Sequence, residues 1–290
     1  MTKILITGAT GNVGMEVIEA LKKLNQPFEI YAGIKDLGKD KLILEKFNIK
    51  TISFDFTDIN TFKPALIQCD VLFLLRPPQI SEVAQFFKPL VETALQCGVK
   101  HIVFLSVQGV EKSTIIPHHK IEKLIVKSKI PYTFLRPAYF MQNFTTTLRK
   151  DLIVNKRIFL PAGKAKFTVI DVTDIGKVAA KILTETNNHV NQSYELTNRE
   201  KLTFGEMAEK LSEGLKTTIK YESPNLFKFY WTKRKEKMPT MLILVMIMLH
   251  YLPRFQKEPN ITDLVSPVQI ILSSFMEYTF VSTVYIFVEK

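Results

Sequence analysis

Three glycines near the amino terminus have the spacing of a nucleotide-binding turn. The segment LITGATGNVG, residues 5–14, begins with apolar residues and continues into a helical pattern. Its first glycine permits a tight turn, the second lets the backbone approach a pyrophosphate, and the third lets the helix pack close to the strand. The amino end of that helix directs free N–H groups and a positive dipole end at the phosphates. The predicted dinucleotide contacts are Gly8, Thr10, Gly11, Asn12, Val13 and Gly14.

The end of the second predicted strand indicates which dinucleotide is bound. An NAD site usually carries an Asp or Glu about 20 residues after the turn, where it holds the ribose 2′-OH. Here the strand ends on Ala32 and Gly33, and Lys35 follows two residues later. A cation without a competing acid suits a 2′-phosphate, so we predict NADP(H) as the preferred cofactor. NAD(H) is the alternative, because Asp36 lies beside Lys35.

Two further strand ends carry candidate cofactor contacts. Asp55 and Phe56 follow the third predicted strand, where they either frame the adenine or are a turn residue and a core residue. The fourth strand ends at Leu75, and the prolines of LRPP (75–78) fix a turn there. Arg76 in that turn is a candidate contact for a phosphate or a carboxylate.

Alternating strands and helices position these residues. The predicted strands are Ile4–Ile6, Glu29–Ala32, Thr51–Phe54, Val71–Leu75, Ile102–Leu105 and Tyr132–Leu135, and the intervening helices are Val13–Leu24, Lys39–Phe47, Ser81–Cys97 and Lys120–Lys127. Their apolar runs are continuous, which is typical of parallel strands buried on both faces. We therefore predict an α/β fold, a Rossmann doubly wound parallel sheet with helices on both faces.

The pattern loosens after about Phe144, which predicts a nucleotide-binding domain over residues 1–150 and a smaller substrate lobe over residues 151–290, partly interleaved with the sheet. Residues 167–171 and 193–197 are predicted strands, and residues 172–183 a predicted helix with Thr173 or Asp174 as its start signal. Residues 203–215 form a second predicted helix, with Thr203 and Glu206 as a capping box.

Composition narrows the class of protein. The 290 residues carry a net charge of +11, and the densest basic stretch, residues 228–237, is interpreted as a solvated helix face. Cys69 and Cys97 lie in apolar stretches without metal-ligand spacing, so we expect buried free thiols and no metal site. The start at Met1 leaves no room for a signal peptide, and the apolar run 241–249 is too short for a membrane span. We expect a soluble cytoplasmic protein without a membrane partner.

The motifs together resemble the NmrA-like group of atypical short-chain dehydrogenases. The resemblance covers about residues 3–215, and within the group the chain is most similar to NAD(P)H-dependent quinone and triphenylmethane-dye reductases. It implies a Rossmann sheet whose cleft, between sheet and lobe, holds a pyridine nucleotide and a small-molecule substrate. The motifs that carry it are TGATGNVG, DFTD (55–58), LRPP (75–78), GVKHIVFLSVQGV (98–110), HHKIEKLIVKSKIPYTFLRPAYFMQN (118–143) and DVTDIGKVAA (171–180).

The resemblance also implies candidate catalytic residues. Ser106 matches the family serine at the end of the fifth strand, and Lys120 matches the lysine that contacts the nicotinamide ribose. Ile116 stands where the standard proton-donating tyrosine is due. In the resemblance, the loop that follows LRPA (135–138) and contains Tyr139, Phe140 and Gln142 lines the nicotinamide pocket.

The residues themselves indicate further candidates for a catalytic role. Of the pair His118 and His119, one could face the nicotinamide and the other solvent, and Tyr139 could equally be a core residue. The predicted catalytic set is Lys120, Ser106, His118 and Tyr139. Ser106 and Lys120 also count among the predicted cofactor contacts, with Leu75, Arg76 and Pro137.

The missing tyrosine favours a reaction that needs no fixed acid. A quinone or a similar conjugated electrophile accepts hydride and spreads the resulting charge, and a solvent proton can follow. We therefore predict an NADP(H)-dependent reductase of such acceptors. The alternatives are a dinucleotide-sensing regulator without turnover, and a nucleotide-sugar epimerase or dehydratase, which Ile116 disfavours. A nucleic-acid partner is not expected, because no reader motif is present.

The carboxyl-terminal tail departs from the family pattern. Residues 264–290 are rich in Val, Ile, Phe, Tyr, Thr and Ser, which favours strand over helix. The tail could be a genuine strand, a dimer contact or an altered reading frame. A monomer or a homodimer is expected.

Overall fold

The computed structural model describes residues 1–24, 26–112, 114, 116–198 and 200–255, together with the backbone of residues 285–288. The strands are β1 (Thr2–Ile6), β2 (Phe28–Ile34), β3 (Lys50–Ser53), β4 (Val71–Leu75), β5 (His101–Leu105), β6 (Tyr132–Pro137), β7 (Tyr139–Phe140), β8 (Arg157–Phe159), β9 (Lys166–Phe167), β10 (Val169–Ile170), β11 (Gln192–Thr197), β12 (Leu202–Thr203), β13 (Lys220–Glu222) and β14 (Tyr285–Val288). The α-helices are α1 (Asn12–Lys23), α2 (Lys39–Leu44), α3 (Phe62–Leu66), α4 (Val83–Gln96), α5 (Pro117–Ser128), α6 (Arg149–Ile153), α7 (Val172–Thr184), α8 (Phe204–Leu215), α9 (Leu226–Lys235) and α10 (Thr240–Tyr251). Short 3-10 helices cover Glu45–Phe47, Ile59–Thr61, Val110–Lys112, Met141–Phe144, Thr186–His189 and Leu252–Phe255.

The central sheet confirms the predicted Rossmann fold. Its strand order is β14-β11-β6-β5-β4-β1-β2-β3, and the seven strands from β11 to β3 run parallel. Only the edge strand β14, which pairs with β11, is antiparallel among the described strands of this sheet. The chain reverses its direction of winding between β1 and β4. In open α/β sheets, ligands bind outside the carboxyl ends of the strands at such a switch point.

Helices cover both faces of the sheet because alternate strand residues point to opposite faces. In β1, Ile4 and Ile6 belong to one core with α1 and α7, whereas Leu5 belongs to a second core with α3, α4 and α5. Gly176 brings α7 close to α1, since a Cβ there would lie 2.7 Å from the carbonyl carbon of Glu16. Although the proposed domain boundary at residue 150 stays a prediction, α7 and β11, which follow it, belong to the nucleotide-binding half.

A third core forms the carboxyl-terminal lobe. Small two-stranded sheets join β7 to β10, β9 to β12 and β8 to β13, and α8, α9 and α10 pack around them. The predicted capping box of α8 is present: Thr203 Oγ1 accepts from the Glu206 N–H, and the Glu206 carboxylate accepts from the Thr203 N–H at 2.7 Å. No helix in the described part of the chain is long and apolar enough to cross a bilayer.

Several local predictions were wrong. The predicted strand over residues 167–171 is divided between two small sheets, and α7 is capped by Asp171, whose carboxylate accepts from the Thr173 N–H, rather than by Thr173 or Asp174. The Asp171 carboxylate satisfies a free N–H of the first turn, and it lies two residues before Thr173 and three before Asp174. Helix α5 begins at Pro117, three residues before the prediction, because proline is favoured at the first helical position.

The basic stretch 228–237 is not wholly solvated. Lys233 is buried and forms ion pairs with Asp151 and, at 3.0 Å, with Glu236. Cys69 is buried and free, and burial raises the pKa of its thiol to about 12, whereas Cys97 is only half-buried. In the 264–290 tail, residues 285–288 form a strand, and the rest of that prediction lies outside the described residues.

Candidate active site

The glycine turn after β1 has the shape that a pyrophosphate site requires. Gly8 adopts φ +61°, a left-handed conformation that favours glycine. A Cβ on Gly14 would lie 2.2 Å from the Gly8 carbonyl oxygen, so only glycine lets α1 start this close to the turn. Gly11 is exposed, and a Cβ there would meet only the Gly8 oxygen, at 3.2 Å. The Gly11 position therefore leaves open space in front of the backbone.

The amino end of α1 is free to bind an anion. Its first turn contains no acidic residue, and no side chain of the described residues caps it. Asn12 is exposed, Thr10 is half-buried, and Val13 is buried in the core behind the turn. Uncapped N–H groups and the helix dipole favour a phosphate at this point. The turn therefore fits the pyrophosphate of a dinucleotide.

Thr7 fixes the turn to the neighbouring strand. Its hydroxyl donates to the Phe73 carbonyl at 3.1 Å and accepts from the Leu75 N–H at 2.8 Å. Leu75 in turn packs against Gly8, with Cδ2 3.0 Å from the position of a Cβ there. Thr7 is not among the predicted site residues, although a threonine between an apolar strand and a glycine turn indicates such an anchor.

Lys35 and Asp55, predicted separately as cofactor contacts, form an ion pair. Lys35 Nζ lies 2.8 Å from Asp55 Oδ2, and the two side chains are 69% and 21% exposed. Burial alone would raise the pKa of the Asp55 carboxyl, but hydrogen bonds from Lys35 and Thr57 outweigh it and the pKa lies below its ordinary value. Phe56 is buried against Phe87 in the second core, as its core alternative predicts.

Arg76 lies immediately after β4, at the switch point. Its Nε donates to His118 Nε2 at 3.3 Å, and its Nη1 donates to the carbonyls of Pro77, Pro78 and Ile80, the last at 2.6 Å. Burial lowers the pKa of its guanidinium, which nevertheless stays charged at neutral pH. Burial, and then the charge of Arg76, lower the pKa of His118 to about 3, so this imidazole is neutral.

Ser106 follows β5 as predicted and stands next to Arg76 in the strand order, because Leu75 pairs with Leu105. Its side chain is 2% exposed, and its buried Oγ has no hydrogen-bond partner among the described residues. Such an orphaned hydroxyl is unusual in a folded protein and is expected near a ligand. Pro137 ends the next strand, β6, and its carbonyl accepts from the Gln108 N–H at 3.1 Å.

The start of α5 carries the other residues predicted from the family pattern. Lys120 is exposed and has neither an ion pair nor a hydrogen bond to the described residues. His119 lies beside it, with Nδ1 3.1 Å from the Val110 carbonyl. Ile116 is the N-cap and lies outside the helix, so neither its side chain nor its backbone reproduces the position of a helical tyrosine.

Tyr139 follows the end of β6 by two residues, and its side chain packs against the third core, in the lobe. Its ring packs edge-on against Phe204 and His250, and its hydroxyl lies 3.3 Å from His250 Nε2. Nδ1 of His250 is 2.6 Å from the Met246 carbonyl, so this nitrogen carries the proton and Nε2 accepts from Tyr139. Burial raises the pKa of the Tyr139 hydroxyl and lowers that of His250 to about 4.

The structure thus brings together one part of the predicted site and separates others from it. The residues that follow β1, β4 and β5 meet at the switch point, with the start of α5 beside Arg76. Lys35 and Asp55 pair at the ends of β2 and β3, and Tyr139 packs against the third core. His250, the partner of Tyr139, was not found from the sequence because it lies 111 residues further along the chain.

Comparison with known proteins gives a consistent picture. A model of the NmrA-like family matches residues 1–247. An NAD(P)H azoreductase of Xenophilus azovorans is 28% identical over 75% of this chain and 76% of its own length. Quinone oxidoreductase 2 of Escherichia coli is 26% identical over 76% of this chain and 77% of its own. The crystal structure of Citrobacter sp. triphenylmethane reductase complexed with NADP(H) superposes with a TM-score of 0.74 at 23% identity, covering 87% of this chain and 90% of that one.

Proposed function

Because this chain belongs to the NmrA-like family, we propose that it is an NADP(H)-dependent reductase that transfers hydride to a quinone or a similar conjugated electrophile. The curated relatives named above are NAD(P)H oxidoreductases, which supports the broader assignment as an oxidoreductase. The observation that carries the proposal is the open glycine turn at the switch point, beside an α5 that begins after Ile116 and lacks a tyrosine there.

The cofactor is held by residues of three regions in this proposal. The uncapped N–H groups of α1 and the backbone at Gly11 bind the pyrophosphate. Lys35 binds the 2′-phosphate and leaves Asp55 to the adenine, while Lys120 contacts the nicotinamide ribose. When bound, the dinucleotide supplies a hydride from nicotinamide C4. The protein contributes orientation and the exclusion of water.

The substrate class follows from the acid that is missing at residue 116. Oxidation or reduction at a carbinol carbon requires proton transfer by a positioned side chain. Tyr139 is the tyrosine of the predicted catalytic set, but its hydroxyl donates to His250 in the lobe. A quinone or a cationic dye instead disperses or neutralises the charge that hydride brings, and water can supply the proton afterwards.

A substrate panel tests this proposal. NADPH and NADH are each mixed with the protein and with 1,4-naphthoquinone or a triphenylmethane dye, and the loss of reduced-cofactor absorbance is recorded. We expect faster oxidation of NADPH than of NADH with the quinone or the dye, and no reduction of NADP⁺ by secondary alcohols. Tight NADPH binding without turnover on any acceptor would instead support the dinucleotide-sensing regulator. The cytoplasm as location, and a monomer or homodimer as assembly, remain our predictions.

A further inference from the structure

We propose that Arg76 is a further catalytic residue, which binds the oxygen of the acceptor and holds the negative charge that hydride addition creates on it. The inference rests on the proposed reductase function. It makes Arg76 the group that stabilises the acceptor oxygen in a site without a proton-donating tyrosine. Its ligand class is an anionic or strongly polarised oxygen on a conjugated ring.

The guanidinium of Arg76 is held in one orientation by its surroundings. Nε donates to His118, and Nη1 donates to three carbonyls of the following turn, Pro77, Pro78 and Ile80. The imidazole of His118 is itself fixed against the ring of Phe104, at 6.0 Å between centroids. These bonds use the Nε and Nη1 groups of the guanidinium. The two N–H groups of Nη2 have no acceptor among the residues that the structure describes.

The positive charge of Arg76 is also uncompensated by protein. No carboxylate of the described residues forms an ion pair with it, in contrast to Arg136 and Arg157, which each pair with acidic side chains. The neutral imidazole of His118 contributes no negative charge, and it lies in the first turn of α5, where the helix dipole adds positive potential. A half-buried, fixed and unpaired guanidinium is a preorganised anion site.

The position of Arg76 favours a substrate oxygen over the cofactor pyrophosphate. The pyrophosphate belongs to the turn between Gly8 and the first residues of α1, whose N–H groups already satisfy it. Arg76 instead connects the end of β4 with the start of α5. Ser106, the predicted catalytic serine, follows the neighbouring strand β5, since Leu75 pairs with Leu105, and its buried hydroxyl has no partner among the described residues. Arg76 therefore lies beside the predicted catalytic serine.

The step is balanced without a protein acid. A quinone receives a hydride, that is one proton and two electrons, and becomes a hydroquinone monoanion, while the nicotinamide is oxidised. The charge on the quinone oxygen is taken up by hydrogen bonds from Nη2 of Arg76. A proton from water then neutralises this oxygen, and the hydroquinone leaves.

The test uses a stable mimic of that monoanion. The ring hydroxyl of 2-hydroxy-1,4-naphthoquinone ionises with a colour change, and its anion is compared with neutral 1,4-naphthoquinone in the presence of NADP⁺, which prevents turnover. We expect the wild-type protein to bind the anion at least about tenfold more tightly than the neutral quinone, because charge-assisted hydrogen bonds have about this strength. We also expect the acid pKa of the bound hydroxyquinone to fall.

Three variants make the result decisive. Arg76→Met should abolish both the anion preference and the pKa shift and lower quinone turnover by about a hundredfold, while the Kd of NADP⁺ stays within about twofold. Arg76→Lys keeps the charge without the planar donor edge and should show an intermediate preference. Arg149→Met removes an exposed arginine of the lobe and should match the wild type in every measurement.

Three outcomes overturn the inference. An anion preference that survives in Arg76→Met removes Arg76 from the acceptor site. A loss of NADP⁺ affinity equal to the loss of quinone affinity assigns Arg76 to the cofactor phosphates instead. If the wild type binds neither quinone, the proposed function fails together with this inference, which distinguishes that failure from the first two.

Discussion

Alanine substitutions at Gly14 and Gly11 should damage the glycine turn in two different ways. A Cβ on Gly14 would lie 2.2 Å from the Gly8 oxygen and 2.8 Å from the Ala9 Cα. Both atoms are backbone, so the turn must move by about 1 Å, and overpacking of this kind costs about 3 kcal/mol. The better helix propensity of alanine returns at most about 1 kcal/mol. We expect Gly14→Ala to lower the Tm by about 4–8 °C.

Gly11→Ala should instead keep the fold and lose the ligand. Gly11 has φ −80° and ψ 165°, which alanine adopts readily, and its Cβ would meet only the Gly8 oxygen at 3.2 Å. Stability should therefore stay within about 0.5 kcal/mol of the wild type. The new methyl group would occupy the space in front of the backbone through which a pyrophosphate approaches, so NADPH should bind at least about tenfold more weakly.

Thermal unfolding with and without NADPH measures both effects. At an NADPH concentration of about 100 times the wild-type Kd, the ligand should stabilise the wild type by about 2.7 kcal/mol, and Gly11→Ala by at most about 1.4 kcal/mol. Gly214→Ala is the matched control, because no atom lies within 4 Å of a Cβ there. A Gly14→Ala variant with the Tm of the wild type would refute the predicted role of Gly14. A Gly11→Ala variant that NADPH stabilises as much as the wild type would refute the predicted role of Gly11.

Three further predictions address the cofactor, the lobe and acid stability. Lys35→Ala should weaken NADPH binding by about tenfold or more, through loss of a charged contact to the 2′-phosphate, and leave NADH binding unchanged in a fluorescence titration; Lys41→Ala is the control, and an unchanged NADPH preference would exclude Lys35. Tyr139→Phe should keep quinone turnover within about threefold while costing about 1 kcal/mol of stability, because the hydroxyl mainly bonds His250; loss of turnover in a folded variant would make Tyr139 the acid. The pKa of the Asp151 carboxyl lies below its ordinary value of 3.8, since hydrogen bonds from its cationic neighbours outweigh burial. The ionised Asp151 carboxylate therefore contributes fully to stability at neutral pH, and this contribution is lost as the pH falls below about 4. Asp151→Asn should cost about 3 kcal/mol at neutral pH. In thermal melts, its Tm should fall less steeply than that of the wild type as the pH is lowered below about 4. If the Tm of Asp151→Asn falls as steeply with acid pH as that of the wild type, the Asp151 carboxylate is not the group responsible.

The sequence was sufficient to predict the frame of the site. Parallel strands buried on both faces leave long apolar runs, and the turn between β1 and α1 needs glycines for local reasons that spacing alone reveals. The start of α5 was predicted three residues too late, although Pro117, which is favoured at the first helical position, marks it in the sequence. Local rules of this kind depend on a few neighbouring residues.

Contacts between distant segments could not be predicted in the same way. Arg76 and His118 are 42 residues apart, and their hydrogen bond depends on how the turn after β4 meets the first turn of α5. Lys35 and Asp55 were recognised as two cofactor candidates, but their ion pair follows from the parallel pairing of β2 with β3. Lys233 lies in a basic stretch whose composition is typical of a helix surface, and it is the packing of α9 against α6 that buries it beside Asp151.

The close approach of α7 to α1 at Gly176 sets the order in which this protein can be completed on the ribosome. The part of α1 that contacts α7 emerges early and is covered only when residues 172–184 have been synthesised. At about 5–20 residues per second, this delay lasts roughly 10 to 30 s, during which that surface is a target for chaperones. A gene shortened at residue 150 would encode a product that lacks this cover throughout its life, so expression of the nucleotide-binding half needs α7.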